Sequence, residues 1–523
     1  MLLKVSGISR DTARSTTARH KATGREVAMR KSVYGIVAIA LVAVAGMTPG
    51  VASAKDTLTL GMALEPRGLD PTTKAEAAIS QIALYNIYEG LTRISEKGEV
   101  GPGLATSWTA DSDRKVFTFK LRSGVMFSDG TTFDSADVKY TYERNAGEKS
   151  TNKRKKRFIN MASIETPDST TVKITLKDSN PKLAFQLGES TAVIVAPETA
   201  AKNETNPVGT GPFKMSKWVR GDSVTLVKNE HYRDPASIKL SKVTFKFMSD
   251  PTAQMAALRA GDIDLFPYFS SYESVPQFQK DKDFNVLVGT TEGEMVLSTN
   301  NKSPKMADVR VRRAVAYAIN RQEIIDGALS GFGTPIGSHM APHNPAYVDL
   351  TGAYAHNPAK AKALLAEAGH ANGLTVSLKL PPPAYARRGG EIIAAQLAKV
   401  GITAKIEPVE WAQWLDQVYK KKNYDLSIVM HVEPNDINIY ANPKYYFQYD
   451  NQEFRDIIKK AETTLDPAER KAALQAAQRK LSEDAVNGFL VQGTKISVMR
   501  KGVTGVWANS PMFVNDLAAI AWK

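Results

Sequence analysis

The sequence predicts an α/β fold divided into two or three domains. Its 523 residues exceed the ~250 to 300 residues at which a single hydrophobic core stops growing. After residue 54, short strand-like runs alternate with amphipathic helices, which favours α/β over all-α or all-β structure. The apolar content of 43% and the charged content of 23% are typical of a globular protein without a large disordered region. We therefore expect a cleft between domains.

The N-terminal residues predict export across the inner membrane. The basic residues Arg30 and Lys31 precede the apolar run Val33–Gly46, and a small-residue segment ends just before Lys55. This is the pattern of a secretory signal peptide with cleavage before Lys55. The apolar run has 14 residues, fewer than the ~20 of a spanning helix, which disfavours an uncleaved anchor. The arginine-rich residues before Met29 are not typical of signal peptides, so we expect translation to begin at Met29.

Cysteine content and charge exclude several classes of protein. The chain has no cysteine, which excludes disulfides, thiolate metal sites, a cysteine nucleophile and the lipidated cysteine of a lipoprotein. We expect a periplasmic protein without a lipid anchor. The net charge is +14, and the segment before the predicted cleavage site carries +6, which leaves +8. The densest basic run, Lys149–Arg157, has no aromatic residues for base stacking, so it predicts a solvated face and no nucleic-acid partner, with a partner-docking patch as the alternative.

The first block of elements follows the predicted cleavage site. "DTLTLGMAL" predicts a strand, and the spacing of apolar residues predicts a helix over Glu76–Leu91. Alternating apolar and polar residues predict half-buried strands in "KVFTFKLRSGVMF" and "TVKITL". "DPTAQMAALRAGDIDLF" predicts a helix that is capped by Asp250 and ends at Gly261, followed by a strand.

A second block begins near Glu294 and predicts its own sheet. A long helix is predicted from a cap at Asp308 to Leu329. The further predicted helices are Pro358–Ala368, Arg387–Lys399, Trp411–Lys421 and Pro467–Glu483. Strands are predicted between them in "LTVSLKL", "ITAKIEPV" and "YDLSIVM".

The stretch Phe119–Glu143 is dense in acids and hydroxyls, but each acid has a structural explanation. Asp129 and Gly130 follow an alternating run, which predicts a turn in which the glycine adopts positive φ. Asp134 fits a helix N-cap, and Asp137 lies in the first turn, where its charge meets the positive end of the helix dipole. No histidine lies nearby, so we predict a turn and a cap and no catalysis here.

The same stretch resembles a known family. It is similar to the signature of the family 5 extracellular solute-binding proteins, which are receptors of bacterial ABC importers for peptides, nickel and oligosaccharides. The likeness spans nearly the whole mature chain, in order, in the segments "LATSWTADSDRKVFTFKLRSGVMFSDGTTFDSADV", "NPVGTGPFKMSKWVRGDSVTLVKNEHY", "DVRVRRAVAYAINRQEII", "HNPAKAKALLAEAG" and "AAQLAKVGITAKIEPVEW".

The resemblance implies a two-lobed periplasmic-binding-protein fold of type II, in the large cluster C form. After the N-terminal extension and signal peptide, 1–54, the first lobe is expected over 55–290, with an inserted subdomain at about 95–200. The second lobe is expected over 291–488, and residues 489–523 return to the first lobe. The sequence pattern by itself also predicts a break near Glu294.

The resemblance further implies a binding function without catalysis or a cofactor. We expect a monomer that captures a peptide or similar amine-bearing solute between its lobes and delivers it to an inner-membrane permease and its ATPases. An exported hydrolase is disfavoured because no nucleophile, base and orienting group are visible together. A nickel or metallophore receptor of the same family is the main alternative, and it would use His339, His343 or His431.

The loop after "YDLSIVM" is the first candidate site, because open α/β sheets bind ligands at the carboxyl ends of strands. In peptide-binding relatives the matching loop supplies an acid that pairs with the ligand's α-ammonium, and Glu433 and Asp436 are the candidates here. A helix cap is the other interpretation of either acid. Trp411 lies at a strand-to-helix junction with access to a cleft, whereas Trp414 fits core packing equally well.

The sequence departs from the dipeptide receptors, and this puts free dipeptides in doubt. Those receptors carry an arginine before a Pro-Tyr-Asn-Pro segment, whereas the matching stretch here is "LPPPAYARRGGE". Its candidate ligand-binding residues are Tyr385, Arg387 and Arg388, the arginines as possible replacements for the missing clamp. Further candidates are two acids suited to a cationic ligand and two residues at the end of the first strand: Glu292, Glu294, Glu65 and Arg67.

Overall fold

The computed structural model describes residues 55–523. The predicted N-terminal extension and signal peptide fall before residue 55 and so lie outside the described residues. The described chain is a mixed α/β structure whose largest sheet has 11 strands. Within residues 55–523, no helix is both long enough and apolar enough to cross a membrane.

The strands follow the alternating runs of the sequence. They are β1 (Thr57–Met62), β2 (Thr92–Ile94), β3 (Val100–Pro102), β4 (Ala105–Ala110), β5 (Val116–Leu121), β6 (Met161–Asp168), β7 (Thr171–Leu176), β8 (Phe213–Val219), β9 (Ser223–Lys228), β10 (Lys242–Phe247), β11 (Leu265–Phe266), β12 (Phe284–Thr299), β13 (Thr334–Pro335), β14 (Leu374–Leu380), β15 (Ile402–Pro408), β16 (Leu426–His431), β17 (Gly488–Arg500), β18 (Val503–Thr504) and β19 (Ala521–Trp522). The large sheet has the order β15-β14-β16-β12-β17-β11-β1-β10-β9-β8, with β13 added beside β17, and β4-β5-β7-β6 form a separate sheet.

The α-helices lie between these strands. They are α1 (Ala77–Ala83), α2 (Ser135–Ala146), α3 (Lys155–Ile159), α4 (Leu183–Gln186), α5 (Pro251–Ala260), α6 (Val275–Lys280), α7 (Val309–Ala318), α8 (Arg321–Leu329), α9 (Pro358–Glu367), α10 (Ala384–Ala398), α11 (Trp411–Trp414), α12 (Gln452–Thr463) and α13 (Pro467–Glu483).

The buried side chains form separate cores, and we name two lobes after them. The first lobe contains the cores built from residues 58–284 and 496–520. The second lobe contains the cores built from residues 295–491. Within the first lobe, buried side chains of residues 91–196 form a cluster of their own, where the sequence predicts the inserted subdomain. The domain boundaries given above stay predictions.

Two long strands, β12 and β17, run from one lobe into the other and pair antiparallel along the way. Phe284 of β12 packs in a first-lobe core, and Met295 of the same strand packs in a second-lobe core. The register of the pair shifts between Thr290 and Glu294. Residues 291–293 therefore form a bulge at the passage between lobes, and a bulge bends a strand and increases its twist.

The predicted turn and cap in Phe119–Glu143 are confirmed. Gly130 has a φ of 90°, and Asp129 accepts hydrogen bonds from the Thr131 amide and hydroxyl. Asp134 caps α2, and the Asp137 side chain accepts in return from the Asp134 amide, which completes a capping box.

The helix predicted over Glu76–Leu91 is wrong in its second half. The helix ends at Ala83, and Tyr85 has a φ of 63°. Residues 84, 85, 87 and 88 are all buried. A segment that is buried on every side has apolar residues all around it, so their spacing does not mark one face of a helix. The apolar spacing therefore extends beyond the residue at which the helix ends.

Two other predicted helices differ in detail. The helix predicted from Asp308 to Leu329 is two helices, because the Asn320 side chain accepts from the amides of Gln322 and Glu323 and starts α8. The helix predicted over Trp411–Lys421 continues after α11 as a π-helix over Leu415–Lys420.

Candidate ligand-binding cleft

Two cavities open beside the loop that follows β16, and residues of both lobes line each of them. Pro434 lines both cavities. The smaller, of about 120 Å³, is lined by Ala75, Glu76, Ala77, Ser80, Leu84, Arg154, Glu189, Ser190, Thr191, Val432, Glu433, Pro434, Met512 and Phe513. The larger, of about 820 Å³, has room for a ligand of several residues. Together they form the interlobe cleft.

Glu433 stands at the smaller cavity and pairs with Arg154 across the cleft. Desolvation by the cleft walls raises the pKa of the Glu433 carboxyl, and the Arg154 charge opposes that shift. The Glu433 side chain is still 46% exposed. A cationic ligand can reach a carboxylate in this position, which now pairs with the Arg154 guanidinium.

The basic run that contains Arg154 is more than a solvated face, so that prediction is wrong for two of its residues. Arg157 is 8% exposed and pairs with Glu189, which lines the smaller cavity. Arg154 reaches the second lobe through Glu433. The run looked solvated because its partners lie 32 and 279 residues away in the chain, beyond the reach of pattern reasoning.

Asp436 lies below the cleft and contacts two histidines. Its Oδ1 is 2.7 Å from His339 Nε2, and its Oδ2 is 3.5 Å from His431 Nδ1. Burial alone would raise the pKa of Asp436, but the contacts with His339 and His431 outweigh it and hold that pKa well below its usual range. Asp436 begins a short 3-10 helix over Asp436–Ala441 without capping it through its side chain.

Glu292 lies in the bulge of β12, Glu294 follows the bulge, and the two acids lie in different surroundings. Glu292 lines the larger cavity, and its Oε1 is 2.5 Å from His343 Nε2. Glu294 is buried, and burial together with the nearby charges of Asp436 and Glu292 raises the pKa of Glu294 well above its ordinary value. Its side chain is thus a candidate for a neutral, protonated acid.

Basic residues of both lobes line the larger cavity together with Glu292. They are Lys97, Arg114, Arg470 and Lys471. The larger cavity therefore presents mainly positive charge, whereas three acids, Glu76, Glu189 and Glu433, line the smaller one. This division of charge suits a ligand with an amine at one end and an acidic group at the other.

The remaining predicted site residues lie outside both cavities. Tyr385 is partly buried, and its hydroxyl accepts from the Met430 amide. Arg387 donates to the backbone carbonyls of Pro381 and Val409, and Arg388 lies 3.6 Å from Glu273. Both arginines therefore have protein partners, although the sequence suggested them as replacements for the missing carboxylate clamp.

Trp411, Glu65 and Arg67 also have local partners. Trp411 is half exposed and stacks on Trp414 with ring centroids 5.1 Å apart. Glu65 accepts from the Trp218 indole and the Gly221 amide, and Arg67 pairs with Glu76.

Of the predicted residues, the structure brings four acids together at or just below the cleft: Glu292, Glu294, Glu433 and Asp436. Sequence reasoning missed the first-lobe side of the cleft, in particular Arg154 and Glu189. The one sequence signal for Arg154 was its place in a dense basic run of an exported chain.

Comparisons with known proteins identify the family and the fold. The sequence model of "Bacterial extracellular solute-binding proteins, family 5 Middle" matches residues 99–454. The chain belongs to this family. The solute-binding protein is also 28% identical over 502 residues to the glutathione-binding protein GsiB of Escherichia coli, which covers 92% of this chain and 97% of that relative.

Solved structures of similar proteins match this solute-binding protein along almost its full length. One is the PBP AgaA of A. tumefaciens in complex with agropinic acid, with 29% identity, a TM-score of 0.79 and coverage of 89% of this chain and 99% of that one. Another is DppA, the ABC transporter-associated periplasmic binding protein of Helicobacter pylori, in complex with the peptide STSA, with 25% identity, a TM-score of 0.80 and coverage of 90% and 98%. The predicted family and the two-lobed α/β fold are confirmed.

Proposed function

We propose that this solute-binding protein captures a peptide or similar amine-bearing solute in the interlobe cleft and delivers it to an inner-membrane ABC permease. The observation that carries the proposal is the cleft itself, with Glu433 reachable at one end and a basic wall at the other. The relatives that are named for glutathione and for a peptide complex support the same ligand class. It acts as a monomer in the periplasm and performs no catalysis.

In this proposal the ligand's ammonium group takes the place of Arg154 at Glu433. Both groups are cations, so the exchange keeps the carboxylate paired throughout. The ligand's acidic group then faces Arg114 and Arg470, which lie on opposite lobes. Since the ligand contacts both lobes only when they are closed, its binding shifts the population toward the closed state.

Isothermal titration calorimetry with matched ligands tests the proposal. Glutathione and the tetrapeptide Ser-Thr-Ser-Ala are titrated into the purified protein, each beside its N-acetylated form. We expect one site per chain for at least one free-amine ligand, and at least tenfold weaker binding after acetylation, because the amide is uncharged. If neither peptide binds to correctly folded protein, or if acetylation has no effect, the proposed ligand class is wrong.

A nickel or metallophore receptor remains the second candidate, and one observation favours it. His343 lines the larger cavity beside Glu292, and an imidazole in a cleft wall suits a chelated metal. Titration of the wild type and of His343→Asn with a nickel–histidine chelate under the same conditions distinguishes the two functions, since a metal receptor that uses the cleft loses heat of binding in the variant, whereas a peptide receptor gives the same result for both proteins.

A further inference from the structure

A cluster of metal-ligating side chains lies inside the second lobe, apart from the cleft ligand. His339, His431 and Asp436 each offer a ligand atom, and these atoms all lie within 4.8 Å of one another. Their side chains are 1%, 9% and 7% exposed. His431 ends β16, whereas His339 and Asp436 come from two different loop segments. Three distant parts of the chain thus deliver nitrogen and oxygen donors to one buried point.

Glu294 lies next to this cluster, and its carboxyl group indicates that something is missing there. It lies opposite His431 in the register of β12 and β16, and Asp436 is close enough to interact with it electrostatically. Its Oε2 is buried and has no hydrogen-bond partner among residues 55–523. Buried polar atoms are almost always satisfied, so an unpartnered carboxyl oxygen next to this cluster indicates a missing partner.

The outer nitrogens of both imidazoles are held by tyrosine hydroxyls. His339 Nδ1 lies 3.2 Å from the Tyr440 hydroxyl, and His431 Nε2 lies 2.9 Å from the Tyr446 hydroxyl. The Tyr440 hydroxyl in turn accepts from the Asn487 side chain. Metal-ligating histidines are oriented in this way, by a hydrogen bond at the nitrogen that does not bind the metal.

We propose that His339, His431 and Asp436, with Glu294 as fourth ligand, bind one first-row divalent transition-metal ion inside the second lobe. Two imidazoles and two carboxylates are a donor set that suits Zn²⁺ or Ni²⁺. Ligand atoms around such an ion lie about 3 to 3.5 Å apart, given bonds of ~2.0 to 2.2 Å. The contacts of 2.7 and 3.5 Å from Asp436 are already close to that spacing.

The site lies just below the cleft without being part of it. Glu433, two residues after His431, lines the smaller cavity, whereas none of the four proposed ligands lines either cavity. The ion would join β12, β16 and the loop that carries His339, so we expect it to stabilise the second lobe. This proposal stands independently of the peptide ligand.

Metal titrations of tag-free protein test the site, because a polyhistidine tag would bind the same ions. The protein is stripped with EDTA and dialysed, then titrated with Zn²⁺ and, separately, with Ni²⁺ by calorimetry. We expect one ion per chain and a higher melting temperature with metal. Asp436→Asn keeps an acceptor for His339 but removes the anionic ligand, so we expect at least about tenfold weaker binding.

His356→Asn is the matched control, since His356 is an exposed histidine of the same lobe and lines neither cavity. We expect this variant to bind the ion like the wild type. The proposal is overturned if neither ion binds with a stoichiometry of one, if Asp436→Asn binds as tightly as the wild type, or if His356→Asn loses as much affinity as Asp436→Asn.

Anomalous diffraction from zinc-soaked wild-type crystals gives a reading that does not depend on a variant folding. We expect a peak at the zinc edge between the His339 and His431 rings. A peak elsewhere, or none, contradicts the proposal. Peptide titration of the same EDTA-treated protein is measured alongside, so the metal site and the proposed peptide function succeed or fail separately.

Discussion

Replacing Arg154 and Glu433 by glutamine, singly and together, separates the two roles that Glu433 can have. Arg154 is 37% exposed and Glu433 is 46% exposed, and exposed ion pairs contribute about 0.2 to 1 kcal/mol. If Glu433 only ties the lobes together, each single variant weakens ligand binding by at most about fivefold. If Glu433 anchors the ligand's ammonium, Glu433→Gln costs about 2 kcal/mol or more, at least about 30-fold.

Arg154→Gln is expected to change the ligand affinity in opposite directions in the two cases. As an anchor, Glu433 loses a competitor when Arg154 is removed, so the affinity stays equal or rises up to about fivefold. As a lobe tie, it loses its partner and the affinity falls. We expect the anchor pattern, measured by calorimetry with glutathione and Ser-Thr-Ser-Ala. Glu410→Gln, exposed and outside both cavities, is the control. Equal losses in both single variants, with no further loss in the double variant, would refute the anchor role.

Three further outcomes test the fold. Burial raises the pKa of Asp137 to about 6, so the folded state binds this proton more tightly than the unfolded state, and the stabilising effect is lost as pH rises from about 4 to 6. In urea unfolding, the wild type should therefore lose roughly 2 to 3 kcal/mol of unfolding free energy over that range relative to Asp137→Asn. Parallel pH dependences of the two proteins would contradict the pKa shift. Asn320→Ala removes the cap of α8 and should lower the free energy of unfolding by about 1 kcal/mol, whereas Asn320→Asp should retain it. Gly289→Ala would place a Cβ 2.0 Å from the Ala508 carbonyl oxygen and should cost about 1 to 3 kcal/mol or more, unlike Gly352→Ala, where the space is open; equal melting temperatures for these two variants would contradict the close packing.

Local features of this fold were predictable from the sequence because their causes are local. The cap at Asp134 needs only a side chain two or three residues from the amides it accepts, and the strand Thr171–Leu176 agrees with its alternating run. The break at Asn320 was missed although the cap residue was visible. Apolar spacing continued across it, and spacing is a weaker guide than a capping side chain.

The candidate site depends on contacts between distant residues, so the sequence predicted only one side of it. Glu433 was found because it follows a strand in a recognisable loop, but its partner Arg154 lies 279 residues earlier. The same holds for His339, for which the sequence spacing offered only His343 as a neighbour. In the folded chain its ring instead meets Asp436, 97 residues later. Such pairings are decided by topology, which short motifs do not record.

With the bulge at residues 291–293 as the bend between them, the two lobes have fewer ways to move relative to each other than two separate linkers would allow. β12 and β17 are hydrogen-bonded to each other on both sides of the bulge. The lobes are therefore joined by one two-stranded ribbon that bends, and not by two linkers that move independently. Glu292 belongs to that bend and also faces the larger cavity. We therefore expect a ligand that touches Glu292 to act directly on this bend, and a substitution there to change the rate of opening together with the affinity.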